Sequence, residues 1–328
     1  MTGFFSRDRL INGPWQAFER AIARLLIHKG WEVAEVIGGS GDKGADVIAI
    51  TGDREVLYQA KFSSRNKNIS VPIVDEVKNA MEFYNVNEGV CASNRNLSFG
   101  QKKRLKELTA EEQGYNIKSF TGNSILESFE KLPEWVENHN KPKPYQVDAI
   151  KELKRTFLDG IGKGLVSLAT GLGKTFVAGS FLRWLYKEKG FHLKVLILAD
   201  KKSLIDQFDR AIWEFLPKSI STHLLYQSEK PSYDNGVTLA TFQSFPKYKE
   251  ENPNLHYDVV IVDEAHHSMA PSYKDVITNL SPGYLLGLTA TPFRRDNKQI
   301  EELFGSSLIK IGLEEALRNH YLCKVKFQ

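Results

Sequence analysis

The pattern of apolar and polar residues divides the chain into two parts at a polar segment, residues 137–144. This segment ends in Lys-Pro-Lys-Pro, and each proline disfavours helix in the residue before it. Regular apolar patterns resume on both sides of the segment. We therefore predict a first domain at residues 1–136, a linker at residues 137–144 and a second domain at residues 145–328.

In the first part, Phe18, Ile22, Leu25 and Leu26 recur at the spacing of one helix face. Further along, short apolar runs indicate strands, and the turn residues at 51–53 indicate that two of these strands pair. The predicted order is α-β-β-β-α-β-α-β. The predicted helices cover residues 15–28, 74–83 and 99–112, and the predicted strands cover residues 31–37, 46–51, 55–62, 89–92 and 117–120.

In the second part, apolar runs of strand length alternate with segments of helical spacing. Such alternation is typical of an α/β domain with a mostly parallel sheet flanked by helices. The predicted helices cover residues 145–158, 174–187 and 204–215, and the predicted strands cover residues 164–169, 194–199, 237–241, 259–262 and 284–289.

The amino-acid composition indicates the general class of protein. Apolar residues make up 41% and charged residues 26% of the chain, as in ordinary globular proteins. No apolar run approaches the roughly 20 residues of a membrane span, so we expect no membrane partner. Two distant cysteines predict a reducing, cytoplasmic location. The net charge of +4 is too small to indicate a nucleic-acid partner by itself.

The segment Ala169-Thr-Gly-Leu-Gly-Lys-Thr175 follows a predicted strand and opens a predicted helix. This context is typical of a phosphate-binding loop, here with alanine where glycine usually stands first. Backbone amides and the helix N-terminus would bind the phosphates of ATP, and a plain glycine turn is the alternative. The predicted nucleotide-binding residues of the loop are Thr170, Gly171, Gly173, Lys174 and Thr175, with the Thr175 hydroxyl on Mg²⁺.

A second motif, Val259-Val-Ile-Val-Asp-Glu-Ala-His266, ends an apolar strand with two acids. We predict that Asp263 holds Mg²⁺ and that Glu264 acts as the general base toward the attacking water. A solvated strand end is the alternative when this motif is taken alone.

Together these motifs resemble the first RecA-like domain of a superfamily 2 helicase of the DEAD/DEAH group, as found in type I and III restriction enzymes. The resemblance covers residues 141–328. It implies that Gln146 reads adenine, that His266 joins the nucleotide site and that Lys201 and Thr241 contact DNA phosphates. Further segments that carry the resemblance are Tyr145-Gln146, Val195–Asp200, Thr241–Ser244 and Leu288–Pro292.

The resemblance also implies a second domain that works together with this one. Such motors use a second RecA-like domain with arginine fingers, which are worth about 10³–10⁵ in rate. Only 37 residues follow Thr291 here. We therefore expect a fragment of a longer protein that binds ATP and hydrolyses it poorly.

The first domain carries a different constellation. Asp46 begins one predicted strand, and Gln59 and Lys61 lie on one face of the next, because strand side chains alternate. Glu19 lies on the preceding helix. Acids that hold Mg²⁺, with a lysine near the nucleophile, are typical of a metal-dependent phosphodiesterase. The alternatives are an exposed strand end at 59–61 and a solvated helix face at Glu19.

This arrangement, with the glycine-rich turn 39–46, resembles the Mrr-like branch of the PD-(D/E)xK nucleases over residues 12–130. The resemblance implies an α/β/α restriction-endonuclease-like fold and a catalytic and metal-binding set of Asp46, Gln59, Lys61 and Glu19. Gln59 stands where the wider family has an acid, and glutamine is common in this branch. It removes one anionic ligand for Mg²⁺ or Mn²⁺.

The two resemblances together predict a Mg²⁺-dependent DNA endonuclease coupled to an ATP-driven motor, as in restriction or phage defence. The expected partner is double-stranded DNA, and cutting of two strands by two copies suggests a homodimer. The main alternative is a first domain that recognises DNA without cutting. An RNA helicase with an accessory domain is a third interpretation, which the lack of a base-stacking aromatic platform disfavours.

Overall fold

The computed structural model describes residues 3–37, 44–65, 67–137, 140–227, 229, 236–290 and 297–322. The chain divides into two compact units, residues 1–138 and residues 139–328. This division falls within the predicted linker, and the first helix of the second unit already begins at Pro144. Each unit is described by itself.

The first unit is built on a mixed sheet with the strand order β1-β2-β3-β4-β5. Among its described residues, helices α1 to α5 cover Arg7–Asn12, Trp15–His28, Ile73–Tyr84, Phe99–Thr109 and Gly122–Glu130. Strands β1 to β5 cover Val33–Val36, Val47–Thr51, Arg54–Lys61, Glu88–Ser93 and Asn116–Thr121.

The pairing of neighbouring strands in this sheet changes from antiparallel to parallel at β3. The pairs β1–β2 and β2–β3 are antiparallel, whereas the pairs β3–β4 and β4–β5 are parallel. Gly52, with a φ of 55°, makes the tight turn between β2 and β3 that the sequence predicts. Helix α2 packs on β1, β2 and β3, and α3 packs on β3 and β4. Because β2 and β3 pair antiparallel, with Val47 opposite Tyr58, the start of β2 and the end of β3 lie at the same end of the sheet.

The second unit is built on a seven-stranded sheet with the order β12-β6-β11-β10-β7-β9-β8, and its strand pairs are all parallel. Its described helices α6 to α12 cover Pro144–Leu158, Lys174–Lys189, Lys202–Ile212, Phe245–Glu251, Pro271–Thr278, Asn297–Phe304 and Leu313–Arg318. Strands β6 to β12 cover Lys163–Leu168, Lys194–Ala199, Thr222–Leu224, Gly236–Thr241, Val259–Val262, Tyr284–Thr289 and Ser307–Ile311.

The central strands β7, β9, β10 and β11 are buried almost throughout, as parallel strands covered on both faces must be. The predicted α/β class, with a mostly parallel sheet flanked by helices in the second part, is confirmed. The helix predicted over 204–215 ends as a 3₁₀ turn at Trp213–Phe215. No helix of the described ranges is long and apolar enough to cross a membrane.

Candidate functional site

The first candidate site lies where β2 begins and β3 ends. The buried carboxylate of Asp46 accepts a hydrogen bond from the backbone N–H of Ala60, with 2.7 Å between Oδ2 and N. Ala60 stands between Gln59 and Lys61 on β3. The fold therefore places the predicted acid directly beside the predicted Gln-x-Lys strand end, although residues 38–43 of the glycine-rich turn lie outside the described residues.

Gln59 is buried, with only 3% of its surface exposed, and its side-chain oxygen Oε1 has no hydrogen-bond partner among the described residues. A buried amide oxygen without a partner is costly, so such atoms mark places where a ligand or water completes the site. Oxygen atoms are also the ligands that Mg²⁺ and Mn²⁺ prefer. The side-chain oxygens of Asp46 and Gln59 at this strand end fit a hard divalent cation.

Lys61 points at a residue that the sequence motif does not contain. Its ammonium nitrogen lies 2.8 Å from Oε2 of Glu76, and about a third of each side chain is exposed. Glu76 lies in the first turn of α3, the helix that packs on β3 and β4. Glu76 also affects a residue of β4. Burial raises the pKa of the Cys91 thiol to about 12, and the negative charge of the Glu76 carboxylate contributes to this increase. Cys91 pairs in register with Gln59.

Glu19 is half-buried on α2 and belongs to the helix that packs on β2 and β3. This packing brings its helix to the two strands that carry Asp46 and Lys61, and its metal-binding role stays a prediction. Within the described ranges, no group of three or more His, Cys, Asp or Glu side chains forms a ready-made metal site.

The second candidate site lies at the carboxyl ends of β6, β10 and β11 in the second unit. The loop after β6 turns into α7 at Gly173, whose φ of 78° favours glycine. A Cβ atom there would lie 2.5 Å from Nε2 of Gln146, so any other residue would also displace the Gln146 amide. Gln146 donates from Nε2 to the Leu172 carbonyl at 2.9 Å and accepts from the Lys143 amide at 2.8 Å.

These bonds give Gln146 a structural task in addition to its predicted one. Its amide connects the start of α6 to the phosphate-loop backbone, and the Tyr145 hydroxyl donates to the same Leu172 carbonyl. Each amide atom of glutamine can make one further hydrogen bond. Adenine reading by Gln146 therefore stays a prediction, as does phosphate binding by Thr170 and Gly171, which are exposed in the loop, and by Thr175 at the helix start.

The strand end of β10 brings the second motif onto the first. Nζ of Lys174 lies 3.5 Å from Oε1 of Glu264, and Nδ1 of His266 lies 3.4 Å from the other oxygen of Glu264. Nδ1 of His266 also lies 3.2 Å from the hydroxyl of Thr289, at the end of β11. Glu264 adopts a φ of 48°, which turns the chain sharply at the strand end. Residues at the start of α7, after β10 and at the end of β11 thus form one connected polar site.

Asp263 precedes Glu264 and is more deeply buried. Burial, followed by the charge of Glu264, raises the pKa of the Asp263 carboxyl from 3.8 to about 6, and Lys174 opposes this shift. A carboxyl group whose pKa is raised by burial and by a neighbouring charge in a polar cleft is typical of a functional site. A bound cation would relieve the repulsion between the two acids.

The raised pKa predicts a gain in stability for Asp263→Asn in the absence of metal and nucleotide. The unfolded carboxyl loses its proton near pH 4 and the folded one near pH 6, so the folded state loses stability as the pH rises between these values. At pH 8 the variant should be more stable by roughly 2–3 kcal/mol, and the difference should shrink toward pH 4.

Urea unfolding of both proteins with EDTA, followed by tryptophan fluorescence at several pH values, measures this effect. A variant that is less stable than the wild type at pH 8, or a gain that is independent of pH, would contradict the burial argument.

Two predicted DNA-contact residues have different surroundings. Thr241 is buried at the end of β9, where its amide and its hydroxyl both contact the Ser244 hydroxyl at 3.1 Å. It holds a turn together, and Lys201 is exposed just before α8. A phosphate contact by either residue stays a prediction. Residues 291–296, which include the end of the Leu288–Pro292 motif, lie outside the described residues.

Comparison with known proteins finds a matching family model in each unit. Residues 11–127 match the family described as restriction endonuclease, and residues 139–294 match the family described as type III restriction enzyme, res subunit.

Individual relatives match just over half of the chain. Putative helicase 22 of Sulfolobus islandicus filamentous virus (isolate Iceland/Hveragerdi) is 29% identical over 192 residues, which are 56% of this chain and 34% of that protein. The type I restriction enzyme EcoAI endonuclease subunit of Escherichia coli is 26% identical over 196 residues, 56% of this chain and 24% of that protein. The matched segments therefore span only about a quarter to a third of these curated relatives.

Among solved structures, the ATP-dependent Type ISP restriction-modification enzyme LlaBIII bound to DNA is similar over 95% of this chain and 24% of its own. The identity is 17% and the TM-score is 0.48.

Proposed function

We propose that this chain cuts DNA under the control of an ATP-dependent motor. The premise is that the chain joins a restriction-endonuclease domain to a helicase-type domain of restriction enzymes. The observation that carries the proposal is the hydrogen bond from the Ala60 amide to the Asp46 carboxylate. It places an anionic oxygen beside the strand that presents Gln59 and Lys61, and these residue types fit phosphodiester hydrolysis.

In the proposed nuclease site each residue has a separate task. Asp46 and the unpartnered oxygen of Gln59 would hold the cation, with Glu19 as a further acid from α2. The cation, Mg²⁺ or Mn²⁺, supplies an activated water and positive charge at the phosphate. Lys61 holds its ammonium at the end of β3, where it stabilises the negative charge that develops on the phosphate as the water attacks.

In the proposed motor site the loop backbone at Thr170, Gly171 and Gly173 and the ammonium of Lys174 would bind the phosphates of ATP. Thr175 and Asp263 would hold Mg²⁺, and Glu264 would accept a proton from the attacking water. His266 and Thr289, which approach each other at 3.2 Å, would connect the nucleotide site to the end of β11. Gln146 would read the base.

Double-stranded DNA is the proposed substrate, and restriction or defence against phage in the cytoplasm is the proposed setting. A homodimer and a second RecA-like domain are the proposed partners. The restriction-enzyme families matched by both units support the substrate and the setting.

Incubation of supercoiled plasmid with this chain tests the nuclease proposal. In Mg²⁺ or Mn²⁺ we expect nicked and linear products, with EDTA as the metal-free control, and ATP should change the rate. The alternative, a domain that recognises DNA without cutting, predicts a mobility shift of the plasmid with no cleavage in either metal. That result would refute the endonuclease proposal for this chain.

A further inference from the structure

The ammonium of Lys61 has a specific partner outside the predicted catalytic set. The 2.8 Å contact with Glu76 joins residues 15 positions apart, on β3 and α3. Oε2 of Glu76, the atom in contact with Lys61, is covered by protein atoms and has no hydrogen-bond partner in the part of the chain that the structure describes. The ion pair with the Lys61 ammonium is therefore the contact that neutralises this covered oxygen.

The backbone of Glu76 is held firmly. Its neighbours Ile73, Val74 and Val77 are fully buried in the core that α3 forms against the sheet. Gly44, two residues before Asp46, lies against the same turn: a Cβ atom at position 44 would be 2.9 Å from the Glu76 carbonyl oxygen. The segment that delivers Asp46 and the helix turn that carries Glu76 are thus in direct contact.

We propose that Glu76 is a positioning residue, which holds the Lys61 ammonium at the strand end; this inference rests on the proposed nuclease function. A lysine side chain has four rotatable bonds, and ordering it costs up to about 2 kcal/mol. A carboxylate on a rigidly packed helix restricts that freedom before DNA binds. With glutamine at position 59, Glu76 also supplies a negative charge near the site that the strand itself does not provide.

A second lysine pair on the same helix provides a matched control. Lys78 and Glu82 also lie 2.8 Å apart, as an i, i+4 pair on the helix surface that Tyr115 contacts through its hydroxyl and its ring. Any general effect of removing an acid from α3 should appear equally in Glu82→Ala.

Competitive acetylation of the whole chain, read by mass spectrometry, tests the contact without any need for activity. In Glu76→Ala the acetylation rate of Lys61 should rise about two- to fivefold, the range expected for loss of an ion pair of this exposure, while that of Lys78 stays constant. Glu82→Ala should show the reverse. An unchanged Lys61 rate in Glu76→Ala would overturn the proposal.

Cleavage kinetics then separate positioning from other roles. We expect Glu76→Ala to lower kcat roughly tenfold, with KM for plasmid and the half-saturating Mn²⁺ concentration unchanged, and Glu76→Asp to recover part of the loss. A raised Mn²⁺ requirement would show that Glu76 is a metal ligand and would overturn the positioning role. Failure of the wild type to cut would refute the proposed nuclease and with it any role in catalysis, while acetylation would still decide whether Glu76 holds Lys61.

Discussion

Asp46→Asn should abolish plasmid cleavage while leaving the first unit folded. The asparagine oxygen can still accept the hydrogen bond from the Ala60 amide, so the strand contact survives. The negative charge that the metal requires is lost, and charge stabilisation by a bound metal is worth several kcal/mol in the transition state. We therefore expect the rate to fall by roughly a hundredfold to a thousandfold or more.

The same substitution at Asp53 is the matched control, because Asp53 is exposed at the turn between β2 and β3. Asp53→Asn should cut at the wild-type rate, and circular dichroism should show equal melting temperatures for all three proteins. Retained cleavage in Asp46→Asn would remove Asp46 from the site.

Lys61→Ala should also abolish cleavage without unfolding the chain. Lys61 is one-third exposed at the end of β3, and Glu76 is exposed to the same extent, so removal of the lysine leaves the Glu76 carboxylate partly solvated. Thermal melts measure the fold and the plasmid assay measures the activity. Loss of the fold in this variant would contradict the catalytic interpretation of Lys61.

Lys174→Ala should weaken ATP binding by the second unit by roughly ten- to a hundredfold. The ammonium is nearly buried at the start of α7, and charge-assisted hydrogen bonds of this kind contribute about 1.5–3 kcal/mol. Its removal also leaves Glu264 and Asp263 without their nearby cation, which adds repulsion toward the triphosphate. Fluorescence anisotropy of a labelled ATP analogue with Mg²⁺ measures the affinity without relying on hydrolysis.

Lys189→Ala serves as the control for this measurement. Lys189 is exposed at the opposite end of the same helix. The control should bind the analogue with wild-type affinity. Equal losses in the two variants, or an unchanged affinity in Lys174→Ala, would refute the assignment of Lys174 to the phosphate site.

The fold follows from the sequence where apolar runs are long and buried. Strands β7, β10 and β11 have the predicted bounds, because parallel strands covered on both faces need continuous apolar residues. Strand β12 was not predicted. It is a half-buried edge strand with Lys310 and an irregular register against β6, so it lacks a clear apolar pattern.

The shorter helices of the second unit were missed for a related reason. Helices α9 to α12 contain six to eight residues each, about two turns, whereas periodicity needs a window of 11 or more residues. Their positions depend on packing against the sheet instead of on a local pattern.

In the candidate sites, too, contiguous motifs can be predicted from the sequence, whereas contacts between separate elements cannot. The phosphate loop and the two acids after β10 are contiguous motifs, and the glycine conformation at Gly173 follows from its residue type. Glu76 belongs to no such motif, since an acid in the first turn of a helix is common for helix stability alone. A sequence signal for it would have required knowledge that α3 crosses the end of β3.

The sequence by itself determined the α/β alternation, the glycine-rich turn between β6 and α7 and the pairing of β2 with β3, because these depend on residues close together along the chain. Only the tertiary structure decided that Asp46 contacts the Ala60 amide, that Lys61 meets Glu76 and that Lys174 meets Glu264. Contacts between separate elements depend on strand register and helix packing, which arise from the summed burial of many apolar side chains. No local pattern of residues encodes them.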